Sequence, residues 1–306
     1  MKNICKAYVC SLPECESHDV RRLFGGLFQL HGRTVGFQGE RGAYSEQAAI
    51  EYYGADIETV PQRTVSDVFM AVESGGVDSG IVPVENSIGG NIYETYDMLS
   101  ETSLNIAGET ILRIEHCLIG APGSELPDIK TVYSHPQALE QCRDYLKKLK
   151  VDMVSTYDTA GSVRMIKEGN LRNCAAIAAE RNASLYGLEV IAKGIEGDAG
   201  SFTRFLIMSK DRGERIGPYK TSLMFGVDHS PGSLYRALEP FAELGINLSK
   251  IESRPKKGFP WEYYFFMDFE GGTDERDCAL AVSRLRGLTQ YVKVLGSYRR
   301  AMPPMK

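Results

Sequence analysis

From residue 33 onward the chain alternates short apolar runs with stretches whose apolar positions recur at helical spacing. Residues 34–37, 57–60, 80–84 and 104–112 read as extended. Between them, Ser45 is placed to cap a helix that turns Ala48, Ala49 and Tyr52 inward and stops at Gly54. Ser66 is placed to cap a second helix carrying Val68, Phe69 and Val72, and a third carries Ile92, Tyr96 and Leu99. A second set of units runs from about residue 115 to 189. It has strands at 129–133, 151–155 and 174–179, and helices opening at Pro136, Asp158 and Arg181. Residues 188–192 are again extended. Strands alternating with helices predict a largely parallel α/β sheet, where ligands bind outside the carboxyl ends of the strands.

The pattern changes after the charged stretch 210–218. Strands at 221–227, 246–253, 263–269 and 292–296, with helices from Pro231 and Asp274, give the order β-α-β-β-α-β of a ferredoxin-like α+β unit. Such a sheet can pair through its edge or its open face, so oligomerisation is expected. Residues 1–32 match neither pattern. Residues 19–30 predict a short amphipathic helix weakened by Gly25 and Gly26, read as a non-catalytic arm.

Candidate chemistry collects where loops meet strands. Glu85, Asn86 and Ser87 follow a strand and offer a carboxylate, an amide and a hydroxyl, with Gly89 and Gly90 behind them. Thr203 and Arg204 stand where a glycine-containing polar run meets the apolar run 205–208. Ser134 and His135 end another strand, and Gln141 lies on the helix that follows. His135 before a proline also fits a plain turn residue, and Asp158 with Thr159 also fits a plain helix N-cap.

Composition narrows the partners. Lys and Arg number 35 against 40 Asp and Glu, a net charge of −5, so nothing points to nucleic acid and an anionic ligand needs local donors. No apolar run approaches membrane-spanning length. Lys2 and Lys6 are not followed by the apolar segment of a signal peptide. The seven cysteines are odd in number, as in a cytoplasmic protein with reduced thiols, and the five-residue spacing of Cys5, Cys10 and Cys15 fits no metal motif. Neither a P-loop nor a dinucleotide fingerprint occurs in its proper context.

Six stretches in order resemble the prephenate dehydratases that carry a C-terminal ACT regulatory domain. They are Gly36-Phe-Gln-Gly-Glu-Arg-Gly-Ala-Tyr-Ser45, Pro83-Val-Glu-Asn-Ser-Ile-Gly-Gly90, Ser134-His-Pro-Gln-Ala-Leu-Glu-Gln-Cys142, Asp158-Thr-Ala-Gly161, Thr203-Arg-Phe205 and Glu252-Ser-Arg-Pro255. The resemblance implies a two-lobed, periplasmic-binding-protein-like α/β catalytic domain at 33–212, followed by a ferredoxin-like ACT domain at 220–300. One lobe would comprise about 33–112 and 193–212, the other about 113–192, with crossings near 104–112 and 188–192. It implies decarboxylation of prephenate with loss of its ring hydroxyl, giving phenylpyruvate, without metal or organic cofactor.

In that reading Thr203 is the central catalytic residue, hydrogen-bonding the departing hydroxyl or relaying a proton; Glu85 and Asn86 complete the catalytic set, Glu85 as a proton holder if a closed cleft raises its pKa and Asn86 as a substrate-positioning group. Ser87, Ser134, Gln141 and Thr159 position substrate. Arg204 either meets a substrate carboxylate or serves as a structural ion-pair partner. Ser201 stands where many relatives have asparagine, and Ser233 where bacterial relatives have alanine. Phenylalanine is the implied effector, bound by Gly232, Ser233, Leu234, Glu252, Ser253, Arg254 and Pro255 between paired ACT domains of a homodimer or homotetramer. The alternatives are an arogenate dehydratase and a non-catalytic amino-acid sensor. A fused chorismate mutase is not expected, because residues 1–32 are too few for it.

Overall fold

The computed structural model describes residues 32–197, 200–213, 217–256, 258–259 and 261–302. The helix expected at 19–30 and the cysteines 5, 10 and 15 lie outside these residues. In chain order the first part contains β1 (Thr34–Gln38), α1 (Tyr44–Tyr53), β2 (Glu58–Gln62), α2 (Val65–Ser74), β3 (Ser79–Asn86), β4 (Gly90–Asn91), α3 (Tyr93–Glu101) and β5 (Asn105–Arg113). The second contains β6 (Cys117–Gly120), β7 (Thr131–Ser134), α4 (Pro136–Gln141), α5 (Arg143–Leu149), β8 (Asp152–Ser155), α6 (Thr159–Glu168), β9 (Cys174–Ala178), α7 (Arg181–Tyr186) and β10 (Glu189–Lys193). The chain returns through β11 (Phe202–Ser209). It ends in β12 (Tyr219–Gly226), α8 (Ser233–Glu243), β13 (Leu248–Pro255), β14 (Tyr263–Glu270), α9 (Arg276–Leu288) and β15 (Tyr291–Arg299).

Three sheets result. The first has the order β2-β1-β3-β11-β5 with β4 on β3, and the second β10-β6-β9-β7-β8. The third, β13-β14-β12-β15, is antiparallel throughout and has the expected β-α-β-β-α-β order. The first two sheets are mixed, which corrects the largely parallel expectation. The returning β11 inserts antiparallel between β3 and β5, and β6 runs antiparallel to both β9 and β10. The runs expected to cross between lobes are sheet strands instead. The crossings are shorter: residues 114–116 pair with the described residues on either side of the return, Ile195 N–H to His116 O (3.1 Å) and Ile114 N–H to Ser201 O (2.8 Å). An apolar extended run looks alike whether it pairs or only connects, so pairing had to decide.

Two caps also move. Ser45 lies inside the first turn of α1 behind Ala43, which makes no side-chain cap, and Gly42 N–H is taken by Glu46 (2.7 Å). The second helix is capped by Thr64, not Ser66. Thr64 Oγ1 accepts from Asp67 N–H (3.1 Å) and Asp67 accepts from Thr64 N–H (3.0 Å), a reciprocal box that satisfies two otherwise orphaned donors. Thr64→Ala is expected to lower stability by about 1 kcal/mol in urea denaturation, whereas Ser66→Ala leaves the midpoint unchanged.

The first two sheets meet through the turn 39–42. Gly42 has φ 93°, and a Cβ there would lie 1.9 Å from Asn182 Oδ1. Asn182 Nδ2 donates to Gly42 O (2.9 Å) and the Tyr186 hydroxyl to Arg41 O (2.7 Å). The third sheet sits against the first, closely enough that a Cβ on Gly296 would lie 2.2 Å from Ile106 O. Among the described residues, no helix is long and apolar enough to cross a membrane.

Candidate active site

Strand phase decides what reaches the site. Side chains alternate across a sheet. Register pairs Thr203 with Asn86 and Arg204 with Glu85, so each strand sends one residue of its pair to either face. Thr203 and Asn86 meet directly: Asn86 Nδ2 donates to Thr203 Oγ1 at 2.9 Å, and Thr203 is only 8% exposed. The amide cannot turn over without loss, because its Oδ1 accepts from Ile88 N–H (3.1 Å) and Gly89 N–H (2.7 Å) in the hairpin between β3 and β4. An NH2 group only donates, so Thr203 accepts that bond and keeps its own proton to give.

Ser201, buried, completes the amide's surroundings with Oγ 3.3 Å from Asn86 Nδ2. The serine in place of the expected asparagine therefore keeps contact with Asn86. Ser87 is exposed at the hairpin tip, where its hydroxyl donates to Gly200 O (3.1 Å) and accepts from Phe202 N–H (2.9 Å).

The other face carries charge, and two assignments change there. Glu85 is turned away from Thr203 and pairs with Lys250 of β13 at 2.9 Å. It is not poised to hold a proton for the threonine. Arg204 donates to Glu109 (2.7 Å), pairs with Asp268 (2.6 Å) and reaches the Tyr298 hydroxyl (3.0 Å). Glu109 has a 0% exposed side chain and also meets Lys220 at 3.0 Å. Arg204 is thus a structural partner in a buried network between the first and third sheets, not a substrate ligand. Burial keeps Tyr298 a neutral phenol, with its pKa well above the ordinary value.

The second lobe supplies fewer open groups than expected. Ser134 is fully buried and its hydroxyl donates to Ile177 O (2.7 Å), which makes it a strand-end anchor in this structure. Gln141, the last residue of α4, is half-buried and its Oε1 lies 2.8 Å from His116 Nε2. Thr159 opens α6, half-buried, beside Asp158, which caps the helix through Ala160 N–H (2.6 Å) and Gly161 N–H (3.1 Å) and touches Glu40 N–H of the first lobe (3.3 Å). His135 is a helix cap, its Nδ1 accepting from Gln137 N–H (3.3 Å).

Two residues near the site carry no role in the sequence reading. His116 is one. Gln137 is the other: a Cβ on Gly89 would lie 1.9 Å from its Nε2, which puts this second-lobe amide against the Asn86 hairpin. It follows Pro136 at a helix start beyond a strand end, which was the available signal. A groove of about 980 Å³, lined by Tyr44, Arg113, Glu115, Glu180 and Arg181 among others, is a separate place that includes neither Thr203 nor Asn86.

The candidate effector segments lie at the start of α8 and on β13. Gly232 (φ 79°) precedes α8, where the buried Ser233 hydroxyl meets Ser230 Oγ (2.7 Å) and Arg236 (3.1 Å). Leu234 packs into the core of the third sheet. On β13, Glu252 accepts from Asn91 (2.7 Å) and Arg254 pairs with Asp97 (2.9 Å), both in the first part of the chain, while Ser253 and Pro255 are exposed. Among the described residues, no cluster of metal-binding side chains occurs.

Residues 35–213 match the family model for prephenate dehydratase. An Arabidopsis thaliana protein, arogenate dehydratase/prephenate dehydratase 1, chloroplastic, is 39% identical over 282 residues, covering 86% of this chain and 71% of its own. The prephenate dehydratase of Arthrobacter aurescens, solved in complex with L-Phe, has a TM-score of 0.81 at 33% identity over 87% of this chain and 90% of its own. GqqA, described as a novel type of quorum quenching acylase, has a TM-score of 0.81 at 34% identity over 89% of this chain and 99% of its own.

Proposed function

The chain belongs to the prephenate dehydratase family, and we propose that it converts prephenate to phenylpyruvate, carbon dioxide and water in phenylalanine biosynthesis, under feedback from phenylalanine. The observation that carries the reading is the Asn86–Thr203 bond, which leaves the threonine proton free to be donated. In the reaction the bond to the ring carboxylate breaks and releases carbon dioxide. Its electron pair enters the ring, and the ring hydroxyl leaves as water with a proton drawn from solvent. Hydroxide is a poor leaving group, so a preset donor at the departing oxygen acts where negative charge develops. Thr203 is that donor, held by Asn86, and Ser87, Gln141 and Thr159 position the substrate. Ser134 supports the strand end from which α4 projects.

The unit 219–299 is read as an ACT domain that binds phenylalanine through Gly232, Ser233 and Leu234 together with Glu252, Ser253, Arg254 and Pro255. β13 is an edge strand with Ile251 44% exposed, which supports effector sites completed by a second copy. Buried free thiols at Cys117, Cys142 and Cys278 support a cytoplasmic setting.

The relative that carries both activity names favours one second reading, turnover of arogenate to phenylalanine. Product analysis of purified protein given prephenate or arogenate, each with and without phenylalanine, separates the readings. Phenylpyruvate from prephenate, suppressed by phenylalanine, is expected. Phenylalanine from arogenate alone would change the substrate and keep the site, and no turnover of either would leave an amino-acid sensor.

A further inference from the structure

We propose that His116 is a positioning residue for substrate binding, orienting the Gln141 carboxamide so that its NH2 end is presented to an anionic group of the substrate. The proposal rests on the reading of Gln141 as a substrate contact. His116 lies in the first crossing between the lobes and is 2% exposed. Its ring touches both lobes: Nε2 is 2.8 Å from Gln141 Oε1, and Nδ1 is 2.9 Å from the hydroxyl of Tyr44 at the start of α1. Its backbone is fixed as well. Its N–H donates to Glu196 Oε2 (2.9 Å) and its carbonyl accepts from Ile195 N–H (3.1 Å), both in the second crossing. Gln141 is tied to the same crossing, its carbonyl accepting from Gly197 N–H (3.0 Å).

The two ends of a carboxamide differ chemically, and an amide at a cleft can present either. The ring selects one. Burial holds His116 below its ordinary pKa, so the imidazole is neutral and carries one N–H. Gln141 Oε1 faces Nε2 at 2.8 Å and can only accept, which places the ring proton on Nε2, while Nδ1 is held against the Tyr44 hydroxyl, itself bonded to Glu115 O (2.7 Å). That proton binds Gln141 Oε1, and among the described residues the Nε2 end of Gln141 makes no hydrogen bond. Arg204 is engaged by Glu109 and Asp268, which leaves a role in carboxylate recognition for neutral N–H donors such as this one.

The test is a set of steady-state KM and kcat measurements with prephenate on His116→Asn, His116→Gln, Gln141→Ala and the His116→Asn/Gln141→Ala double variant, with melting curves alongside. A glutamine at 116 can place an N–H where Nε2 was, whereas asparagine reaches only the Nδ1 position. His116→Asn is expected to raise KM roughly three- to tenfold, the loss of one hydrogen bond, with kcat within about twofold of wild type. His116→Gln is expected to restore KM, and the double variant to be no worse than Gln141→Ala. Should His116→Asn not fold, Tyr44→Phe removes the hydroxyl that holds the ring at Nδ1 and is expected to raise KM without adding to Gln141→Ala. Equal impairment of the Asn and Gln variants, or multiplicative effects in the double variant, would overturn the proposal and leave Gln141 as a substrate contact. An unchanged KM in Gln141→Ala would remove that contact, and the proposal with it.

Discussion

Replacing Thr203 with alanine is expected to lower kcat for phenylpyruvate formation about 100- to 1,000-fold, the usual consequence of deleting one preset donor to developing oxyanion charge. Far-UV circular dichroism and the melting temperature should stay close to wild type, because the hydroxyl contributes one hydrogen bond and the strand pairing is unaffected. The size of the effect follows from bond directions. Asn86 can only donate to Thr203, since its oxygen is held by the hairpin N–H groups of Ile88 and Gly89. The threonine proton therefore points elsewhere, and alanine leaves nothing in its place. Thr203→Ser should keep most of the rate, losing only the stiffness that β-branching gives the side chain. Near wild-type turnover by the alanine variant would remove Thr203 from the mechanism.

The second large effect belongs to the residue next to it. Arg204→Ala is expected to lower stability by about 3–5 kcal/mol, read from the urea midpoint, because it strips a partner from carboxylates that stay buried. Glu109 would keep Lys220, but Asp268 would lose the guanidinium 2.6 Å away. The KM for prephenate of the folded variant should move less than about threefold. A tenfold rise in KM with an unchanged midpoint would instead return Arg204 to the substrate. Adjacent residues on one strand thus predict opposite signatures, one in rate and one in stability.

The sequence brought Thr203 and Asn86 together by resemblance, and the structure joins them by a hydrogen bond. Read from sequence, the runs 80–84 and 205–208 stop short of the motif, which groups Glu85 and Arg204 with them. Had β3 been carried to Asn86 and β11 started at Phe202, alternation alone would have put Glu85 and Arg204 on the opposite face. Their partners were still out of reach, since Glu109, Lys220, Lys250 and Asp268 are far from them in sequence and paired only by the packing of the third sheet on the first. Ser134 is a similar case: a hydroxyl at a strand end reads as open, and only the neighbouring strand reveals the Ile177 carbonyl that takes it. The β-α-β-β-α-β order of the last part was legible because its strands alternate and its helices are well delimited.

The charged seam between the first and third sheets limits how freely the last part of the chain can be exchanged. Arg204, Glu109 and Glu85 on one side match Asp268, Lys220 and Lys250 on the other. A last part transplanted from a relative must bring these countercharges, or it would bury an orphan carboxylate or guanidinium on the sheet face opposite Thr203. Modularity at the level of domains is thereby conditional on six side chains, and a recombination library cut near residue 215 would be filtered by them before any catalytic property was tested.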